Sequence, residues 1–136
     1  MSYLLLKTEP SSYSFEDLER DGETVWDGVT NNAALKNLRS TNVGDLCFIY
    51  HSGDVRAAVG IAKITKAAYP DPKKKDEKLV VINLKPFKKL KRPVTLAELK
   101  SRRELKDFDL VRLPRLSVMH VPDNIWKIIM DASERE

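Results

Sequence analysis

The sequence predicts an α+β fold: a small, mostly antiparallel sheet or barrel of about five or six strands with helices packed around it. Three observations predict it. Short apolar runs with strand character recur at Tyr3–Thr8 and at residues 46–50, 57–68 and 79–84. Segments with helical spacing follow Ser14, Asn31, Thr95 and Pro122, each a residue type that suits a helix start. Gly- and Pro-rich turns separate neighbouring strands by few residues, which favours antiparallel pairing. The 136 residues are 42% hydrophobic and 32% charged, enough to bury one core. No internal repeat or linker divides the chain, so residues 1–136 are read as one domain.

Taken in order, the first strand alternates Leu4 and Leu6 against Leu5, Lys7 and Glu9, and Pro10 closes it. Ser14 and Asp17 have capping-box spacing, predicting a helix over 15–21 that Asp21-Gly22 ends. An extended piece through Val25 and Trp26 leads to a second helix capped by Asn31, with Ala34, Leu35 and Leu38 inward. Gly44-Asp45 introduces a buried strand, Leu46-Cys47-Phe48-Ile49-Tyr50, and His51-Ser52-Gly53-Asp54 is the turn after it. The next strand carries Val59, Ile61 and Ile64, with a bend or bulge expected at Gly60. Pro70-Asp71-Pro72 stops it, Lys73 to Lys78 form a charged tip, and the following strand ends at Leu84. Thr95-Leu96-Ala97-Glu98 reads as a capping box, with Lys100, Arg102 and Arg103 extending or following a short helix. Residues 116–119 form a late strand, and Pro122-Asp123 starts a terminal helix with Ile125, Ile128, Ile129 and Ala132 at helical spacing. Trp126 beside that stripe is expected to pack.

Composition excludes several function classes. The single cysteine, Cys47, lies in an apolar run, so neither a disulfide framework nor a cysteine metal site is expected, and only His51 and His120 are available for a histidine site. No Gly-rich phosphate loop, His-Glu-x-x-His or nucleophile elbow occurs. Neither a metal nor a cofactor is therefore expected. The chain shows no signal peptide and no long apolar run, which predicts an intracellular protein without a membrane partner. The formal net charge is +4, with acidic residues concentrated early and basic ones in the middle, so one positive face is expected.

Chemistry concentrates in three polar clusters at predicted strand ends or turns, where sites are commonly built. They are Lys7-Thr8-Glu9-Pro10, Trp26-Asp27-Gly28-Val29-Thr30-Asn31 and Tyr50-His51-Ser52. The second combines an indole for stacking, polar groups that read donors and acceptors, and a glycine hinge, a mixture suited to a planar polar ligand. These blocks, with Gly44-Asp45, Pro93-Val94-Thr95-Leu96 and Arg115-Leu116-Ser117-Val118, resemble in order the signature blocks of the EVE domain family.

The resemblance implies a PUA-like barrel, related to the YTH domains that read methylated adenine in RNA. It also implies a reader of modified bases, chiefly methylated or hydroxymethylated cytosine in DNA, with modified RNA as another possibility. The site residues it suggests are Lys7, Glu9, Pro10, Trp26, Asp27, Gly28, Val29, Asn31, His51, Ser52 and Ser117. Lys85, Lys88, Lys89, Lys91 and Arg92 are candidates for the nucleic-acid backbone, or equally a solvated edge. The residues leave alternatives open: Trp26 as packing, Asp27 as a turn brace, and Lys7 with Glu9 as a structural ion pair. Thr30 and Asn32 depart from the family pattern, which often has arginine and tyrosine there, so the ligand stays open. An enzyme using Asp27 or Glu9 as general base is the second reading and a protein-binding scaffold the third. The location expected is the cytoplasm of a prokaryote or the nucleus of a eukaryote. The oligomeric state is not legible.

Overall fold

A computed structural model describes residues 2–135. Along the chain run β1 (Tyr3–Thr8), α1 (Phe15–Asp21), β2 (Thr24–Trp26), α2 (Asn32–Arg39), β3 (Leu46–His51), β4 (Ala57–Pro70) and β5 (Val80–Thr95). Then follow α3 (Leu96–Lys100), a 3-10 turn (Arg103–Leu105), α4 (Asp109–Arg112), β6 (Val118–His120) and α5 (Asp123–Ser133). The six strands form one sheet in the order β2-β5-β4-β3-β1-β6, and it curls into the half-barrel of an α+β, PUA-like fold. Only β1 and β3 pair in parallel among the described strands, and the segment carrying α1, β2 and α2 supplies the crossover they need. β2 and β6 lie at opposite ends of the order, so the sheet has two edges where a closed barrel would have none.

Local signals explain most elements. The Ser14 hydroxyl accepts from the Asp17 amide at 3.0 Å while the Asp17 carboxylate accepts from the Ser14 amide at 2.9 Å, completing the capping box of α1. The Asn31 Oδ1 accepts from the Ala34 amide at 3.0 Å and opens α2, which buries Ala34, Leu35 and Leu38. In β1, Leu4, Leu5 and Leu6 are all fully buried, because this strand sits inside the sheet with both faces covered. α5 buries Ile125, Ile129 and Ala132, and its Trp126 stacks on Tyr3 at 4.1 Å and on Phe48 at 4.0 Å between ring centroids. Cys47 is fully buried, which pushes its thiol pKa up.

Gly60 serves two needs. The β4–β5 register shifts between Ala58 and Gly60, and a Cβ at Gly60 would collide with the Phe15 ring that packs across it.

Several expectations are corrected. β5 does not end at Leu84 but continues through the lysine run and two prolines to Thr95, because β4 pairs with it down to Ala57–Thr95. β2 covers only Ile82 to Leu84 on its other side, so the charged stretch lies on an open edge where lysine and proline are tolerated. His51 is the last residue of β3 rather than part of a turn. At α3 the capping box is half made: the Thr95 hydroxyl accepts from the Glu98 amide, while the Glu98 carboxylate turns to Arg92 at 2.6 Å. α4 and the preceding 3-10 turn add helical structure beyond α3. Among the described residues no helix is long and apolar enough to cross a membrane, and no group of three or more metal-ligating side chains comes together.

Candidate functional site

A cleft of about 1020 Å³ opens beside β2. Its lining comprises residues 23–31, the end of β1 at Lys7 and Thr8, the Ser12-Tyr13 loop, Lys73, Asn83 and Ser117. Ser117 immediately precedes β6, so the cleft draws on both edges of the open sheet.

Trp26 is 8% exposed and meets Tyr13 edge-on, with ring centroids 6.3 Å apart. Alternation along β2 turns Trp26 inward like its buried cross-strand partner Ile82, so the indole presents a limited surface rather than an open platform. Asp27 is exposed in the loop that follows. Gly28 has φ +78°, a conformation that an L side chain would strain, and it lets the chain turn from β2 toward α2. Val29 is 9% exposed. The Asn31 oxygen is engaged as the helix cap, which leaves its NH2 group as the part able to donate to a ligand. Thr30 lines the cleft, whereas Asn32 begins α2.

Lys7 enters from the opposite side. Its Nζ donates to the Pro114 carbonyl at 2.8 Å and lies 5.7 Å from the Tyr50 ring centroid, and partial burial lowers its pKa. The Ser117 carbonyl accepts from the Lys7 amide at 2.9 Å, which ties the two cleft residues together.

The remaining candidates do not join this group. Glu9 is exposed, packs beside Gly53, and its Oε1 accepts from the Ser11 amide and hydroxyl, each at 3.0 Å. The backbone hydrogen bond from Ser11 is the main cause holding the Glu9 carboxyl below its ordinary pKa, and such a carboxylate is a weak base. Lys7 and Glu9 thus take separate partners. Pro10, His51 and Ser52 also stand outside the cleft lining. His51 is 6% exposed, and its Nε2 accepts from the Phe15 amide at 3.0 Å, so the ring is neutral with its proton on Nδ1. Its pKa is lowered chiefly by burial. The physical reason lies in strand alternation: Tyr50 faces Lys7, and His51 turns to the other side toward α1. The Ser52 amide donates to the Thr8 carbonyl at 2.9 Å.

None of the β5 cations lines the cleft. Lys88 pairs with Glu134 of α5 at 3.3 Å and Lys89 with Glu16 of α1 at 3.8 Å, while Arg92 holds Glu98. Lys85 and Lys91 are exposed along the same strand. Sequence reasoning did not single out Tyr13, Glu23, Lys73 or Asn83 as cleft residues. For Asn83 a signal existed, since it is the one polar residue in the run from Val80 to Leu84.

Comparison with known proteins shows the family. The sequence profile described as the EVE domain matches residues 2–132. Human thymocyte nuclear protein 1 is 30% identical over 99% of this chain and 75% of its own length. A Rhodopseudomonas palustris protein solved by NMR is 38% identical, with TM-score 0.92 over 98% of this chain and 93% of that one. The crystal structure of human thymocyte nuclear protein 1 in complex with 5-methylcytosine containing DNA is 29% identical, with TM-score 0.92 over 100% of this chain and 99% of that one. A profile match over nearly the whole sequence, joined to a relative 30% identical along 99% of the chain and a solved structure with the same fold, means that the protein belongs to the EVE domain family.

Proposed function

We propose that this protein is a nucleic-acid-binding module, not an enzyme, that reads a modified base, with 5-methylcytosine in DNA as the leading ligand. The observation that carries the reading is the likeness, over 99% of the solved chain, to the human protein in complex with 5-methylcytosine containing DNA. The cleft supports it with an indole, exposed polar groups and a lysine around one space. A flipped base enters beside β2 and lies against the exposed part of Trp26, with Tyr13 as the adjoining wall. Asp27 accepts from an exocyclic amine, and the Asn31 NH2 donates to a ring or carbonyl acceptor. Lys7 offers positive charge to a carbonyl or phosphate. The cations of β5 hold the backbone outside the cleft, and the protein acts inside the cell where nucleic acid is found.

Magnitudes divide the roles. Base-on-aromatic stacking contributes about 1 to 3 kcal/mol, whereas burial of one methyl adds about 0.8 kcal/mol, roughly a fourfold preference. Trp26 therefore governs whether the base binds, and the methyl only biases which one.

The test is fluorescence anisotropy with labelled oligonucleotides carrying one 5-methylcytosine or plain cytosine, as DNA and as RNA. Parent protein is expected to bind the methylated DNA several-fold tighter than the plain strand, and Trp26→Ala to weaken binding at least about fivefold. Equal binding by parent and Trp26→Ala would remove the pocket assignment.

A further inference from the structure

The tip between β4 and β5 reaches the cleft and carries charge that stacking on Trp26 leaves unused. Residues 72–78 are all exposed and hold four lysines, Lys73, Lys74, Lys75 and Lys78, against Asp76 and Glu77. Lys73 lines the cleft, and it and Lys7 are the two cations among the lining residues. They differ in what they offer a ligand. Lys7 is partly buried and gives a hydrogen bond to the Pro114 carbonyl, whereas Lys73 is exposed. Among the described residues no ion pair engages Lys73, Lys74, Lys75 or Lys78, while Lys88 and Lys89 of β5 are paired with Glu134 and Glu16.

The tip is braced. Asp71 Oδ1 accepts from the Lys73 amide and Asp76 Oδ1 from the Lys78 amide, each at 2.9 Å and each two residues on, the pattern of an aspartate turn. Both carboxylates are thereby directed at the tip's own backbone, which leaves the ammonium groups to other partners. The Asp71 amide donates to the Leu79 carbonyl at 2.8 Å and closes the base of the tip. Arg39, the last residue of α2, donates its Nη2 to the Lys78 carbonyl at 2.8 Å, which straps the tip to the helix whose cap, Asn31, lines the cleft. Glu23 and Asp27 also line the cleft, and carboxylates repel phosphate. A strand that places a base in the cleft therefore finds a better seat for its backbone at the tip than among the acidic lining residues.

We infer that the β4–β5 tip is a phosphate clamp for a nucleic-acid strand, in which Lys73, with Lys74 and Lys75 next to it in the chain, neutralises phosphates adjoining the base held in the cleft. Phosphate contacts position a strand without reading its sequence, so the tip sets affinity and salt dependence and leaves the choice of base to the cleft. The inference rests on the nucleic-acid-binding function proposed above.

Fluorescence anisotropy with single-stranded DNA carrying one 5-methylcytosine or plain cytosine, repeated over a series of sodium chloride concentrations, tests it. Lys127→Ala serves as the charge-matched control, because Lys127 is exposed on α5, none of whose residues lines the cleft. Lys73→Ala is expected to reduce the magnitude of the slope of log affinity against log salt by about 0.7, and the triple variant K73A/K74A/K75A by about 2. Lys127→Ala is expected to keep the parent slope, and every variant to keep the parent ratio of methylated to plain binding. A slope unchanged in the triple variant, or lowered equally by Lys73→Ala and Lys127→Ala, overturns the clamp alone. Parent protein that binds methylated and plain strands alike, with the loss of slope confined to the tip variants, supports the clamp and overturns the base reading. Parent protein that binds no strand overturns both.

Discussion

His51 shows how a residue chosen for chemistry can turn out to hold a frame. Its Nε2 accepts the Phe15 amide at the entry to α1, a bond that requires the neutral ring. Burial lowers its folded-state pKa below the ordinary value near 6.5, so the unfolded chain takes up the proton first. The sign follows: stability is intact above about pH 6.5 and declines as pH falls through the window between the unfolded and folded values. Thermal melts from pH 7.5 to pH 5 should show a falling Tm in the parent. In His51→Gln, whose side-chain carbonyl can accept the same amide without titrating, the fall should flatten. Identical slopes would assign the acid sensitivity to other groups. Glu9 teaches the complementary lesson, since its carboxylate is engaged by Ser11, a partner two residues away that spacing alone did not reveal.

At the scale of elements, Gly60 is the most exposed to test. Replacing it with alanine forces a methyl into the Phe15 ring, so Gly60→Ala should lose about 1 to 3 kcal/mol in urea denaturation with little change in the m-value. A stability equal to the parent would mean that α1 shifts freely against β4. The sequence marked this glycine as a bend, as it marked the Ser14 and Asn31 caps and the stripe of α5, because each rests on neighbours within a few residues. The second half of β5 was not legible for the opposite reason. Its lysines and prolines break the apolar pattern after Leu84, and only pairing with the distant β4 makes it a strand. Likewise the segment from Trp26 to Asn31 and Lys7 stood out as local clusters, whereas Glu23, Lys73 and Asn83 enter the cleft through pairing and loop placement. Alternation within β3 then separates His51 from Tyr50, a distinction that a motif string does not carry.

For the molecule as a whole, a net charge of +4 and a cleft formed between two sheet edges set how long polyanions are met. The affinity of any DNA complex should fall linearly on a log-log plot against salt, with a slope of about −0.9 per phosphate neutralised for duplex and about −0.7 for single strands. Neighbouring β5 lysines point to opposite faces, Lys89 toward α1, which lies between the cleft residues Tyr13 and Glu23 in the chain, and Lys88 toward α5. Their partners are half exposed and exchangeable for a phosphate. Lys89→Ala should therefore reduce the magnitude of the slope by nearly one, and Lys88→Ala should leave it unchanged; equal effects would place the backbone path elsewhere. The stack of Trp126 between Tyr3 and Phe48 has an optical consequence. Of the two indoles in the chain, this one is walled off from anything that enters the cleft and contributes a constant background to the emission spectrum. A ligand-linked change in intensity or wavelength then reports on Trp26, so the protein carries its own single-site probe and needs no dye to show when the cleft is filled.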